Sequence, residues 1–287
     1  MTSNPPVNQL TQTFLDEYIN EPSQAVGLLG QKWLAKGNLA RLLAERLLKL
    51  EPPKLAAYPY FMPIGGGDVS SITIEEIRQL NSFLSLKVPS KQELNRIVLI
   101  EDAHKLTLEA QNALLKNLEE PPAGTVLILT AEASGALQPT VLSRLTLIRV
   151  LKPTKDELVK YYLNQDYKPE DISQALLIAD GLPGLMELLL TSKDNPFNQA
   201  ITAARKILSS TTFERLTQIN ELAKDKQSLK NVLFILKQMA KISVASPDPK
   251  TAARWQNILS LVADAELKLA ANGQTKLTLT DLMLALG

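Results

Sequence analysis

Five short runs in the first half of the chain carry almost no polar residue: "AVGLL" (25–29), "YFMPI" (60–64), "RIVLI" (96–100), "TVLILT" (125–130) and "LTLIRV" (145–150). A strand that is apolar at nearly every position has no face to give to water, so it must be covered on both sides. Between these runs lie segments with helical spacing. One covers roughly residues 38–49. A second opens at Thr73, where Glu76 three residues on completes a capping box ahead of "IEEIRQLNSFLSL". A third opens near Thr107 and stops before Pro121 and Pro122. Buried strands alternating with helices predict a doubly wound α/β domain around a parallel sheet.

After Pro153 the pattern changes. Thr154 and Glu157 form another capping box, and no convincing strand follows. "PEDISQALLIADGLPGLMELLL" reads as two short helices broken at Gly181–Gly184, and the runs beyond Asn195 are longer, with helical apolar spacing. The expected organisation is an α/β module over 1–152, a small helical lid over 153–193 and an all-helical domain over 194–287, with the link near "SKDNP" (192–196).

The composition removes whole classes of chemistry. Among 287 residues there is no cysteine, and the only histidine is His104, so thiolate metal sites, histidine clusters and a Ser-His-Asp triad are excluded. With 21% charged residues and a net charge of +1, no overall field draws the chain to nucleic acid or an anionic membrane. "MTSNPPVNQL" lacks the basic and apolar regions of a signal peptide, and no apolar stretch is long enough to span a bilayer. A soluble, cytoplasmic protein without a membrane partner is expected.

Two segments address a nucleotide. "GQKWLAKG" (30–37) lies between a strand and a helix, where a phosphate-binding loop would sit. Such a loop uses glycines so that backbone N–H groups can wrap phosphates, Lys for charge, and Ser or Thr to hold Mg²⁺. Gly30 and Lys36 match; Ala35 replaces the second glycine, Gly37 replaces the hydroxyl, and Trp33 puts an indole inside the loop. "RIVLIEDAHKL" ends a strand in Glu101 and Asp102, as a Walker B strand does, but with the two acids in the reverse of their usual order. Three readings stand: an ordinary strand-to-helix turn with a solvated lysine, a working ATP site, and a loop of that ancestry that no longer binds Mg-ATP well. Two failures at the metal-holding positions of one site favour the third.

The stretch "AQNALLKNLEEPPAGTVLILTAEASGALQPTVLSRLTLIRV" (110–150) resembles the AAA+ clamp-loader subunits of the bacterial replicative polymerase, DNA polymerase III. It repeats their A-x-x-A-L-L-K-x-L-E-E-P-P helix, the strand after it, and their P-T-x-x-S-R segment. The resemblance is strong over about residues 20–190; beyond that it rests on helical character and on an ending, "NGQTKLTLTDLMLAL", similar to the family's last collar helix. It implies an AAA+ module, a helical lid and a helical collar. Delta-prime subunits of the family lack intact Walker motifs yet keep the Ser-Arg pair, which is the combination seen here.

The resemblance therefore implies a stator that does not hydrolyse ATP, has no cofactor and is no enzyme on its own. Its useful residue would be Arg144, an arginine finger reaching the ATP of a neighbouring subunit, with Ser143 fixing the turn. A planar guanidinium suits that role better than lysine. Gly30, Lys36, Glu101, Asp102 and Thr130 would be the degenerate site, Thr130 standing where a polar sensor residue ends the fourth strand. Leu185 stands where ATPase members carry a sensor arginine, Leu145 where many have cysteine, and "EPPKLAAYPY" (51–60) replaces their four-cysteine zinc module. Implied partners are gamma/tau-like ATPase subunits and a delta-like subunit in a ring, with the sliding clamp and primer-template DNA reached through the assembly. The alternatives are an ATP-hydrolysing gamma/tau-like motor subunit and a nucleic-acid-binding module; no aromatic-basic patch favours the latter.

Smaller features read as structural. "IGGGD" (64–68) is expected to be a flexible loop, and His104 to be structural. Trp33 and Trp255 are open between core and interface. Leu114, Leu115 and Leu118 are expected to face the sheet, with Asn117, Glu119 and Glu120 turned toward a neighbour.

Overall fold

A computed structural model describes residues 6–51, 54–67, 69–88, 94–132, 137–191 and 195–286. The chain divides into two compact units, Met1–Leu158 and Val159–Gly287.

The first unit is built on five parallel strands: β1 (Ala25–Leu29), β2 (Phe61–Gly65), β3 (Arg96–Glu101), β4 (Thr125–Ala131) and β5 (Thr146–Arg149), in the order β2-β3-β4-β1-β5. The central strands β3 and β4 are the apolar ones, with every residue from Arg96 to Ile100 and from Thr125 to Ala131 buried. Side chains alternate across a strand. Val98, Ile100, Leu127 and Leu129 therefore share one face, where they pack with Ile77, Leu80, Leu114 and Leu118 in a single apolar cluster. Those partners come from α3 (Ile74–Leu84) and α4 (Leu108–Glu119). Ile97, Leu99, Val126 and Ile128 point the other way; α2 (Lys36–Leu47) lies against β1, β3 and β4 and buries Leu39, Ala40, Leu43, Ala44 and Leu47. A doubly wound sheet is thus the arrangement that the near-continuous apolar runs require.

Local signals set the helix ends. The Thr73–Glu76 capping box is formed, and Glu157 accepts from the Thr154 N–H at 2.6 Å while Thr154 Oγ1 accepts from the Glu157 N–H at 3.2 Å. At the other end of α3, buried Arg96 donates from Nη1 to Leu84 O at 2.5 Å and from Nη2 to Leu86 O, meeting carbonyls that the helix leaves unsatisfied. A helix that the sequence reading omits, α1 (Gln9–Asn20), precedes β1 and is tied on by Thr11, whose Oγ1 accepts from the Leu151 N–H at 2.9 Å. The turn α5 (Pro139–Leu142) leads into β5.

The helix α6 (Lys155–Leu163) spans the boundary between the units. The second unit continues with α7 (Pro169–Ala179), α8 (Pro183–Thr191), α9 (Pro196–Ser209), α10 (Thr212–Leu222), α11 (Lys226–Ser243), α12 (Pro249–Ala270) and α13 (Thr275–Ala285). It holds residues 159–193 of the segment expected as a lid (153–193) and the segment expected as a collar: α7 packs on α8 and α11, and α11 on α9 and α12. Most of the expected link near 192–196, Asp68 of "IGGGD", and residues 52–53 and 133–136 lie outside the described residues. Among the described residues no helix is long and apolar enough to cross a membrane.

Candidate functional site

The loop after β1 follows a tight backbone path. Trp33 and Ala35 both have left-handed φ values, 70° and 55°. Ala35 occupies the position of the second glycine, and its β-carbon makes that conformation cost on the order of 1–2 kcal/mol. Gly30 is held by close approach: a β-carbon there would lie 2.7 Å from the Val150 carbonyl oxygen and 2.9 Å from Leu34 Cδ1. Lys36 opens α2 and is 7% exposed. Its ammonium donates to the Gln31 carbonyl oxygen at 2.9 Å, so the charge is folded into its own loop. Burial pushes the Lys36 pKa down, while Glu132 and Asp102 pull it back up.

Glu101 ends β3 beside this loop. Its Oε1 pairs with Arg41 Nη2 at 2.5 Å, and a β-carbon built on Gly37 would overlap Oε2. Asp102 follows in left-handed conformation (φ 54°), pairs with Lys105 at 2.9 Å and donates its backbone N–H to Thr130 Oγ1 at 3.0 Å. Thr130 is buried at the end of β4, and its hydroxyl joins the ends of β3 and β4. The expected site residues Gly30, Lys36, Glu101, Asp102 and Thr130 therefore gather at the C-terminal ends of β1, β3 and β4, where ligands bind in open parallel sheets. Arg41 belongs to the same cluster. The sequence reading missed it, although it lies one turn beyond Gly37 on α2.

Arg144 and Ser143 lie apart from this cluster in sequence, just after α5. The Arg144 guanidinium is engaged within the chain: Nε donates to Glu119 Oε1 at 3.0 Å, Nη2 to the same oxygen, and Nη1 to the Thr140 carbonyl at 2.7 Å. Ser143 Oγ donates to the Thr140 carbonyl at 3.1 Å and accepts from Arg144 Nη1 at 3.3 Å. The Arg144–Glu119 pair remains partly open to solvent, with side chains 33% and 49% exposed. Glu119 is exposed on α4 and pairs with Arg144 of the same chain, while Asn117 bonds Asn81 at 2.8 Å. Leu185 is fully buried in α8, and Leu145 sits in the core against the sheet. His104 stands 3.8 Å from Glu132 and has a buried Nδ1 with no hydrogen-bond partner. Among the described residues no group of three or more His, Cys, Asp or Glu could hold a metal ion.

The sequence model of the family described as "DNA polymerase III, delta subunit" matches residues 8–154, just over half of the chain. The chain belongs to that family. Its curated relatives include a DNA polymerase III subunit delta' from Haemophilus influenzae, 29% identical over 127 residues that make up 44% of this chain and 37% of the relative. A DNA polymerase III subunit gamma from Buchnera aphidicola is 26% identical over 198 residues, 67% of this chain and 52% of the relative. The chain thus spans about half or less of the length of these relatives. Among solved structures, a gamma subunit-related protein from Thermotoga maritima superposes with a TM-score of 0.53 at 20% identity, covering 96% of this chain and 98% of that one. The fold is that of an AAA+ α/β protein.

Proposed function

We propose that the chain is a delta-prime-like stator of the DNA polymerase III clamp loader, which does not hydrolyse ATP itself and lends Arg144 to the ATP site of an adjoining subunit. One observation carries the first half of the reading. Glu101 lies against Gly37 and pairs with Arg41, at the place where a hydroxyl on α2 and an acid on β3 would share Mg²⁺. Lys36 is turned into its own loop. These residues do not fit a Mg-nucleotide: the hydroxyl is missing and a carboxylate fills its space.

Family membership and the Ser143–Arg144 pair support the second half. In this reading the lid (153–193) and collar (194–287) join the chain to gamma/tau-like ATPase subunits and a delta-like subunit. The sliding clamp and primer-template DNA are reached through that assembly, in the cytoplasm. The similarity to subunit gamma favours one other reading, an ATP-hydrolysing motor subunit. Reconstitution separates the two. A loader whose other subunits carry inactivated Walker motifs has no ATPase left if this chain is a stator, and retains one site's worth if it is a motor.

A further inference from the structure

Glu101 has more neighbours than a strand-end carboxylate needs. Its side chain is only 13% exposed. Oε1 holds Arg41, and Oε2 lies on the first turn of α2, over Gly37, the second residue of that helix. On its other side runs the glycine loop after β2, where Gly65, Gly66 and Gly67 all have left-handed φ values of 72°, 80° and 62°. A β-carbon on Gly66 would come within 3.3 Å of the Glu101 carboxyl. The carboxylate is thus clasped between two stretches of bare backbone and one guanidinium.

The first turn of a helix carries unpaired N–H groups and the positive end of the helix dipole, which is why anions settle there. The N-cap of α2, Ala35, offers no side-chain hydrogen bond to that turn. We infer that Glu101 is the chain's built-in anion at this locus: it takes the place of a phosphate over the first turn of α2, neutralises Arg41, and makes Gly37, Gly66 and Glu101 one interdependent unit. The inference rests on the reading of the locus as closed to Mg-nucleotide. It accounts for the glycines at 37 and 66, which that reading leaves unexplained. It also makes Glu101, rather than the altered loop, the residue that keeps anions out.

The test uses the full chain and four proteins: wild type, Gly37→Ala, Glu101→Ala and the double variant. Replacing a helical glycine by alanine ordinarily raises the unfolding midpoint, here by about 1–4 °C. In the wild-type background Gly37→Ala displaces the carboxylate and is expected to give no gain or a loss. In the Glu101→Ala background the ordinary gain is expected. In parallel, inorganic phosphate at constant ionic strength is expected to raise the midpoint of Glu101→Ala, where Arg41 and the helix turn have lost their anion, and to leave wild type unmoved. Glu101→Asp, which withdraws the carboxylate by one methylene, serves as the second background if Glu101→Ala folds poorly. The same shift from Gly37→Ala in both backgrounds, or an equal phosphate effect on both proteins, overturns the inference. Tight Mg-ATP binding by wild type would instead sink the stator reading, whatever the stability cycle gives.

Discussion

Removing the Arg144 side chain should separate the stability of the chain from the function proposed for it. In the unassembled chain the guanidinium spends Nε and Nη2 on Glu119 and Nη1 on the Thr140 carbonyl. Glu119 is exposed and Arg144 half-buried, at 49% and 33%. Such a pair contributes about 0–1 kcal/mol, because water screens the attraction and two long side chains must be held still. Arg144→Ala should therefore shift the unfolding midpoint by no more than about 4 °C. An arginine finger acts on another scale, on the order of 10³ or more in the rate of phosphoryl transfer at the site it serves. Arg144→Ala in the reconstituted loader should abolish hydrolysis at the adjoining site, read as a lost share of the single-turnover phosphate burst. Arg144→Lys should restore little of it, since a point charge lacks the planar fork. Glu119→Ala should leave stability within about 1 kcal/mol of wild type. A folded Arg144→Ala loader with an undiminished burst would refute the finger. A stability loss beyond about 3 kcal/mol would instead make Arg144 part of the fold.

Three further outcomes concern the chain alone. Lys36→Met removes an ammonium whose pKa burial pushes down, so stability should hold within about 1 kcal/mol or rise; chemical denaturation at neutral pH reads this, and a loss above about 3 kcal/mol would show the charge to be structural. Burial raises the Tyr18 phenol to about 12, against the donated hydrogen bond to the Ser23 carbonyl. A raised folded pKa gives stability that is present below pH 10 and fades as pH climbs toward 12. On the order of 2–3 kcal/mol should be lost across that window and recovered in part by Tyr18→Phe, as measured by urea denaturation in a pH series. Leu114 is fully buried between α4 and the sheet, so Leu114→Ala should cost about 2–5 kcal/mol; a cost under 1 kcal/mol would mean that this core is loosely packed.

The strands were legible to within a residue or so: for β1, β3 and β4 burial on both faces leaves the same mark on sequence that it leaves on structure, whereas β2 and β5 at the sheet edges are apolar runs that stay partly exposed. The capping boxes at Thr73 and Thr154 were legible because both partners lie within one turn. The helix α1 was not. It buries Thr11, Leu15 and Tyr18, too sparse and too polar a stripe to announce a helix, and it is tied to the fold by long-range polar contacts, the Thr11 hydroxyl to the backbone at Leu151 and Asp16 to Arg46. The site followed the same rule. Its members could be placed at strand ends from their order in the chain. What each side chain touches depended on contacts that join distant segments: Glu101 with Arg41 and Gly37, and Arg144 with Glu119, 25 residues away. The place of Gly66 was not legible, because the Glu101 carboxyl beside it arrives from another strand.

The most direct measurement is Mg-ATP binding to the isolated 287-residue chain by calorimetry, with Glu101→Ala alongside. The account predicts no Mg²⁺-dependent heat from the wild-type protein, because α2 has no hydroxyl at Gly37 and the Glu101 carboxylate, paired with Arg41, lies against that position. Saturable, Mg²⁺-dependent binding by wild type would contradict it and put the motor subunit in the stator's place.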